Sequence, residues 1–192
     1  MHQVITIEQK TFSADKVLLW GNAQAPDDIG PMTVAAIDDH IVNVNFGNQL
    51  LASSKPGEKM LSAHQQRRRD DQWAQQTIDK IIQITQNSVS ELLRQQSSTL
   101  KLAVDGTDFQ YQVWQALLTI PFGQQKSYKQ IAMLVNQVDG VRAVAQAIGA
   151  NPLGYIVPCH RVIRDNGELG GFAGGIIVKE ALLRWESSQK AA

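Results

Sequence analysis

Residues 127–152 read SYKQIAMLVNQVDGVRAVAQAIGANP, and this stretch decides how the second half of the chain folds. Ser127 and Gln130 form a capping box that predicts the start of a helix. After the turn NQVD, Asp139 is the expected N-cap of a second helix. Two short helices joined by about four residues predict a helix-turn-helix outline, and spacing alone leaves an ordinary helical hairpin as an equal alternative. The apolar positions of the second helix repeat at i, i+3, i+4 and i+7, namely Val141, Val144, Ala145 and Ile148.

The opposite face of this second helix carries one long cation among small side chains. Arg142 is flanked by Ala143 and Ala147, so the predicted exposed surface is nearly smooth. Such a surface allows close approach to a nucleic-acid backbone, with Arg142 able to reach between bases.

A second capping box, Thr107 with Gln110, opens an earlier helix that Pro121-Phe122-Gly123 ends. Upstream, residues 30–47 alternate like a β-hairpin, and TLKLAV (99–104) alternates like one more strand. The change in composition predicts a supporting domain over 1–98, a junction over 99–106 and a second domain over 107–192. The expected class is α+β, with a small antiparallel sheet and helices first and a mostly helical domain second.

The region between the hairpin and the junction is polar. SSKPGEK (53–59) is typical of a loop, and residues 63–94 favour two helices separated near Asn87-Ser88. The run RRRDD (67–71) mixes cations with acids, which predicts a solvated helix face rather than a nucleic-acid contact.

Cys159 is the only cysteine of the 192 residues and lies in GYIVPCHRVIRDNG (154–167). A lone cysteine is usually a small apolar side chain of the core. Pro158 disfavours a helix interior and predicts a strand end or bend. His160 and Arg161 supply a base and a cation, the kind of neighbours that lower a thiol pKa and favour the nucleophilic thiolate. The glycine-rich stretch DNGELGGFAGG (165–175) follows as a loop able to cover a planar group.

Adjacent side chains of an extended chain point to opposite faces, so His160 reaches the sulfur only if the backbone turns or a water bridges them. Spacing leaves four acids open as partners of this base, namely Asp165, Glu168, Glu180 and Glu186.

Composition narrows the class of protein. Lys plus Arg equals Asp plus Glu, so the net charge is zero, which does not favour nucleic acid by itself. One cysteine excludes an internal disulfide, and no apolar run has the length of a membrane span, which predicts a soluble, cytoplasmic protein. The four histidines are scattered, with no zinc spacing, so no metal is expected.

With these motifs together, the sequence resembles the O6-alkylguanine-DNA alkyltransferases, or methylated-DNA–protein-cysteine methyltransferases. The resemblance rests on TDFQYQVWQALLTIPFG, SYKQIA, GVRAVAQAIGANP, IVPCHRVI and NGELGGFAGGIIVKEALLRWE, in order, from about 107 to 186. It implies an RNase H-like first domain and a winged helix-turn-helix-like second domain. The implied activity is a single, irreversible transfer of an alkyl group from O6-alkylguanine in duplex DNA, leaving O4-alkylthymine open as a further substrate.

The resemblance implies the reacting residues. Cys159 would accept the alkyl group, and His160 would take the thiol proton through a water. Glu186 would orient the imidazole, and Tyr128 would rotate the phosphate beside the lesion and protonate the leaving guanine.

The resemblance also implies the residues that contact DNA and the flipped base. Arg142 would fill the space left by the base, and Asn151 would join the recognition helix to the cysteine turn. The carbonyls of Cys159 and Val162 and the amide of Ala173 would read the guanine edge, with Phe172 lining the pocket.

The implied protein is a monomer with no cofactor, no metal, no membrane and no obligate protein partner. Phe172-Ala173 lacks the tyrosine and serine hydroxyls that some relatives carry, and Gly154 replaces bulk sometimes found at the pocket wall, so substrate range is expected to differ. Two other readings remain. One is a non-catalytic module that binds alkylated DNA, whose relatives carry tryptophan at the cysteine position. The other is a cysteine hydrolase using Cys159, His160 and Glu186.

Overall fold

The structure, a computed structural model, describes residues 5–26, 29–48, 61, 66–86 and 100–190. The predicted loop at 53–59, the break at 87–88, the second helix after it, and His2 and His64 lie outside the described residues.

The first half of the chain builds a six-stranded sheet in the order β1-β6-β4-β3-β2-β5. The sequence-based expectation of an antiparallel sheet is wrong in detail. Only β2, β3 and β4 pair antiparallel, whereas β1 and β4 run parallel to β6, and β5 runs parallel to β2. The α+β class itself is confirmed. The strands are β1 (Ile5–Gln9), β2 (Leu18–Gln24), β3 (Pro31–Ile37), β4 (His40–Phe46), β5 (Arg67–Arg69) and β6 (Leu100–Val104).

The predicted hairpin is β3 and β4, joined by a tight turn at Asp38-Asp39. Asp38 has φ +53°, the left-handed conformation that Asp tolerates better than most residues. The simple alternation of buried and exposed positions does not hold in β4. Both faces of this central strand are covered, and an irregularity in its pairing with β3 between Ala35 and Ala36 puts Val42 in one apolar cluster and Val44 in another.

The arginine run is a strand, so the predicted helix face at 67–71 is wrong. Arg67–Arg69 pair with Leu18–Trp20, and helix α1 (Asp71–Gln86) begins only after them. Asp70 caps this helix, its Oδ1 accepting from Trp73 N at 2.9 Å. The buried positions of α1 recur at helical spacing and pack mainly on β2, namely Ala74, Ile78, Ile81 and Ile84.

The second half is mostly helical, with helices α2 (Asp108–Leu118), α3 (Tyr128–Leu134), α4 (Val141–Gly149) and α5 (Ile176–Lys190). Both capping boxes are confirmed, since Thr107 and Ser127 each exchange hydrogen bonds with the glutamine three residues on. A two-stranded parallel pair, β7 (Lys126–Ser127) and β8 (Val162–Ile163), ties the start of α3 to the segment after Cys159.

The start of α4 differs from the expectation. A single 3-10 turn spans Val138–Gly140, and the N-cap is Gly140 without a side-chain bond, so Asp139 does not cap the helix. Arg142 and Ala143 are exposed as predicted, but Ala147 is buried. Ala147 faces inward because it follows Val144 by three residues on the same helix face, and its carbonyl accepts the indole N–H of Trp114 at 2.9 Å, which fixes α4 against α2.

One apolar cluster runs from the sheet into the helices and includes Ile7, Val44, Trp114, Ile148 and Trp185. Burying each such side chain contributes roughly 1.5–3 kcal/mol relative to leaving it exposed. The last strand of the sheet ends at Val104 and α2 begins at Asp108, in the stretch where the sequence predicts the junction. The division into two domains, and the RNase H-like and winged details, stay predictions. In the described part of the chain, no helix has the length and apolarity to cross a bilayer.

Candidate active site

The backbone turns sharply at the lone cysteine. Pro158 precedes a single 3-10 turn, Cys159–Arg161, and Cys159 N donates to Val157 O at 2.7 Å. The predicted bend is therefore present. The turn lies between α4 and β8 in the chain. It buries Cys159, which is only 8% exposed to solvent.

Asn151 connects the end of α4 to this turn. Its Nδ2 donates to Val157 O at 2.9 Å and to Cys159 Sγ at 3.2 Å, while its Oδ1 accepts from Leu153 N at 3.0 Å. One side-chain amide thus holds the backbone ahead of Pro158 at two points and contacts the sulfur that follows the proline.

The thiol is not activated in the way its sequence neighbours suggest. Burial raises the pKa of Cys159, and the hydrogen bond from Asn151 and the charge of Lys179 offset this only in part. The expectation that the side chains of His160 and Arg161 lower this pKa is wrong, because the His160 imidazole is uncharged and Arg161 is paired with Glu186; only the backbone of His160 contributes a small lowering. At neutral pH the resting sulfur is a thiol.

Glu186 on α5 binds both residues that follow the cysteine. Its Oε1 lies 2.7 Å from His160 Nε2, and it accepts from Arg161 Nε at 3.0 Å and Nη2 at 2.9 Å. Arg161 also donates to Ile120 O at 2.7 Å, so the guanidinium is engaged on two sides. All three side chains are buried.

The structure thereby selects one of the four candidate acids. Asp165 accepts from Ser127 Oγ at 2.9 Å, and the other two pair with arginines on the surface, Glu168 with Arg164 and Glu180 with Arg184.

Burial determines the charge of the His–Glu pair. It lowers the pKa of His160, and the neighbouring Glu186 opposes this without overcoming it. Burial also acts to raise the pKa of Glu186, but the hydrogen bonds from His160 and Arg161 and the charge of Arg161 outweigh it, and the pKa is lowered to about 2. The pair is therefore a neutral imidazole whose Nε2–H donates to a carboxylate. Its Nδ1 has no partner among the described protein atoms, which leaves a buried base with a free lone pair.

Tyr128, the first residue of α3, is half-buried, and burial raises its pKa. Its hydroxyl donates to Gly171 O at 3.4 Å. Gly170 has φ +68°, and a Cβ there would lie 3.0 Å from the tyrosine ring, so glycine permits both the conformation and the close approach.

A cavity of about 930 Å³ joins these elements. Six of the nine predicted site residues line it, namely Tyr128, Arg142, Asn151, Cys159, Phe172 and Ala173. His160 and Glu186 lie behind the cysteine turn and do not line the cavity. Val162 is also buried outside the lining, and its carbonyl accepts from Lys179 Nζ at 2.6 Å.

The sequence reasoning missed Lys179 and Tyr155. Lys179 is fully buried, donates to the carbonyls of Val162 and Leu169, and has a pKa lowered to about 8 by burial. Its spacing of seven residues from Glu186 puts both on one helix face, a signal that was available. Tyr155 stacks parallel to His160, with ring centroids 5.9 Å apart, and its hydroxyl accepts from Thr85 of α1 at 3.0 Å. No sequence signal pointed to this contact between distant segments.

Three further charged residues line the cavity, and no place in a binding cavity was predicted for their side chains. Lys129 and Arg164 add cations to that of Arg142, and Asp165 adds one carboxylate. These four charged residues form the mouth of the cavity, with three cations and one carboxylate. The cavity mouth therefore suits an anionic ligand, although the net charge of the whole chain is zero.

The site therefore combines a buried thiol, a neutral base behind it and, beside it, two short helices joined by a turn, which defines a protein with a cysteine-centred site. Residues 108–188 match the family description "6-O-methylguanine DNA methyltransferase, DNA binding domain".

Comparison with known proteins supports the same grouping. The chain is similar to the methylated-DNA–protein-cysteine methyltransferases of Methanosarcina barkeri, 47% identical over 93 residues, and Mycobacterium tuberculosis, 50% identical over 93 residues. Each match covers 48% of this chain, and the chain spans 59% and 56% of the length of these two relatives. The crystal structure of Mycobacterium tuberculosis OGT in complex with DNA superposes with a TM-score of 0.67 at 32% identity, covering 89% of this chain and 94% of that one.

The chain belongs to the methylated-DNA–protein-cysteine methyltransferase family.

Proposed function

We propose that the chain repairs DNA by transferring the alkyl group of O6-alkylguanine in a duplex to Cys159 Sγ, once per molecule. One observation carries this proposal. Cys159 and Arg142 of α4 line the same cavity, so a nucleophile and a helix fit for nucleic acid share one binding site. An alkylated oxygen inside a base stack is out of reach, so the nucleotide must leave the stack to enter this cavity.

The proton chemistry follows from the buried pair. Because the thiol pKa is raised, Cys159 needs a base at the moment of reaction. His160 is that base, accepting the thiol proton at its unpartnered Nδ1 through a bridging water. The carboxylate of Glu186 then stabilises the imidazolium, as its distance of 2.7 Å from Nε2 supports.

The transfer balances within the site. The bond between O6 and the alkyl carbon breaks, and a bond between that carbon and sulfur forms. The thiol proton goes to His160 and Tyr128 gives a proton to the leaving guanine, after which the imidazolium returns one proton to the tyrosinate through water. The half-buried tyrosine hydroxyl lines the cavity and suits this role. The product is a thioether, and none of the described residues around Cys159 supplies a means of cleaving it, so the protein is consumed.

The base and the duplex are held by different residues. Arg142 takes the space of the flipped base, and Ala143 beside it allows α4 to approach the minor groove. Phe172 and the amide of Ala173 face the base from the glycine-rich loop. The Val162 carbonyl lies outside the cavity lining and accepts from Lys179, so the contacts with the base are assigned to Phe172 and Ala173. We further propose a monomer acting in the cytoplasm on double-stranded DNA, without cofactor, metal or obligate protein partner.

The test mixes the protein with duplex DNA containing O6-methylguanine and follows the mass of the Cys159 peptide. The expected result is a gain of one methylene, methyl for hydrogen, with no more than one lesion repaired per protein. Cys159→Ser is the matched control and should bind the lesion without repairing it. Lesion binding with no mass gain in the unaltered protein would support the non-catalytic binding module instead, and sustained turnover would overturn the single-use proposal. The same assay with O4-methylthymine decides whether that lesion is a substrate.

A further inference from the structure

Phe46, the last residue of β4, lies between two segments beside the cavity, of which only the second contributes residues to its lining. These are residues 152–157, which lead into the cysteine turn, and the glycine-rich loop 170–175, which carries Phe172. Phe46 does not line the cavity itself, and no role was predicted for it.

The first contact is with the segment before the cysteine. Val44 N donates to Pro152 O at 2.9 Å, and Gly154 N donates to Val44 O at 2.8 Å, so this segment pairs with the end of β4. A Cβ on Gly154 would lie 2.8 Å from Val44 O and 3.2 Å from Phe46 Cε2. Glycine at 154 therefore allows the strand and the Phe46 ring to approach the turn closely.

The second contact is with the glycine-rich loop. The rings of Phe46 and Phe172 have centroids 5.5 Å apart and planes tilted by 55°. A Cβ on Gly174 would lie 2.8 Å from Phe46 Cδ2 and 2.9 Å from Phe172 Cε1, so both rings close over this glycine. Of the two rings, only that of Phe172 lines the cavity.

We propose that Phe46 is a positioning residue that determines how large an alkyl group the cavity admits, by fixing where the ring of Phe172 stands. The inference rests on the proposed alkyl transfer. The sheet in the first half of the chain would then act on substrate range, rather than only supporting the fold. The physical reason is that the Phe172 ring, with Phe46 packed behind it, cannot retreat from a bulky group in the cavity, whereas it can retreat once that neighbour is smaller.

The test compares transfer rates from O6-methylguanine and O6-benzylguanine, each within the same duplex, for Phe46→Leu and the unaltered protein. The ratio of the benzyl to the methyl rate should rise about three- to tenfold, the size expected from loss of one aromatic pair. Phe12→Leu is the matched control, because Phe12 is also a partly buried phenylalanine of the first half, packed on His40 in another cluster. It should lower stability and leave the ratio unchanged.

A second variant tests the same point from the other side. Gly174→Ala places a methyl group between the two rings and should lower the benzyl-to-methyl ratio, and adding Phe46→Leu to it should restore the ratio. If the benzyl-to-methyl ratio is unchanged in Phe46→Leu, the proposal is overturned. If Phe46→Leu does not fold, an unchanged ratio in Gly174→Ala overturns it. If the unaltered protein transfers neither group to Cys159, the proposed function has failed instead.

Discussion

Glu186 Oε1 lies 2.7 Å from His160 Nε2, and both side chains are buried beneath the cysteine turn. The same carboxylate accepts two N–H groups of Arg161. One buried charge therefore orients the imidazole and neutralises the guanidinium, and it does so from a helix 26 residues further along the chain.

Acid should destabilise the protein through Glu186. Its pKa is about 2 in the folded protein against 4.5 as the ordinary value, so the unfolded chain binds the proton first. The contribution of Glu186 is complete above pH 4.5 and is lost as pH falls toward 2, on the order of 3 kcal/mol in all. Urea unfolding of Glu186→Gln across this range should show a weaker pH dependence than the unaltered protein.

Glu168→Gln provides the control for that measurement. Glu168 is exposed and paired with Arg164, and solvent weakens such pairs, so its removal should alter the acid dependence little. Equal acid sensitivity of Glu186→Gln and the unaltered protein would contradict the assigned charge state.

The Cys159 thiol should titrate above its ordinary pKa, and still higher in Asn151→Ala. Burial raises this pKa and the Asn151 hydrogen bond at 3.2 Å opposes the rise, so removing the amide removes the opposition. Thiolate absorbance in the ultraviolet, read against Cys159→Ser, measures it. Asn166→Ala, in an exposed turn, should leave the titration unchanged. A lower pKa in Asn151→Ala would refute the prediction.

Arg142→Ala should slow repair of duplex DNA about tenfold or more, because holding a base out of the stack costs a few kcal/mol. Reaction with free O6-methylguanine base should be nearly unchanged, since no base pair must be opened. Arg184→Ala replaces an arginine on α5 that pairs with Glu180 and does not line the cavity, so both rates should persist. Equal losses on duplex and free base in Arg142→Ala would remove its assigned role.

Binding to DNA should weaken as salt rises, because phosphate contacts release counterions. The cavity mouth carries Lys129, Arg142 and Arg164 against one carboxylate, so a measurable slope is expected despite zero net charge. Lys129→Met should reduce the slope of log affinity against log salt by about 0.9 if it contacts one phosphate. Fluorescence anisotropy at several salt concentrations measures this.

Lys101→Met is the control for the salt series, since Lys101 of β6 pairs with Asp39 in the turn between β3 and β4 and does not line the cavity. A slope that does not change with Lys129→Met would exclude that phosphate contact.

Local signals predicted the second half well. The two capping boxes fixed the starts of α2 and α3, because a serine or threonine with a glutamine three residues on satisfies backbone N–H groups wherever the chain goes. The prediction of a helix at Arg67–Arg69 was wrong for the opposite reason. Its conformation depends on pairing with Leu18–Trp20, almost fifty residues away, and nothing local encodes that partner.

By itself, the sequence determined the bend at Pro158-Cys159, the helices around it, and the residue types able to carry a transfer reaction. These depend on neighbouring residues and on the chemistry of single side chains. Only the tertiary structure decided that Glu186 rather than Asp165, Glu168 or Glu180 meets His160, that Arg161 is neutralised, and that the thiol pKa is raised instead of lowered. Charge states follow from burial and from partners brought together by packing, and distance along the chain does not specify either.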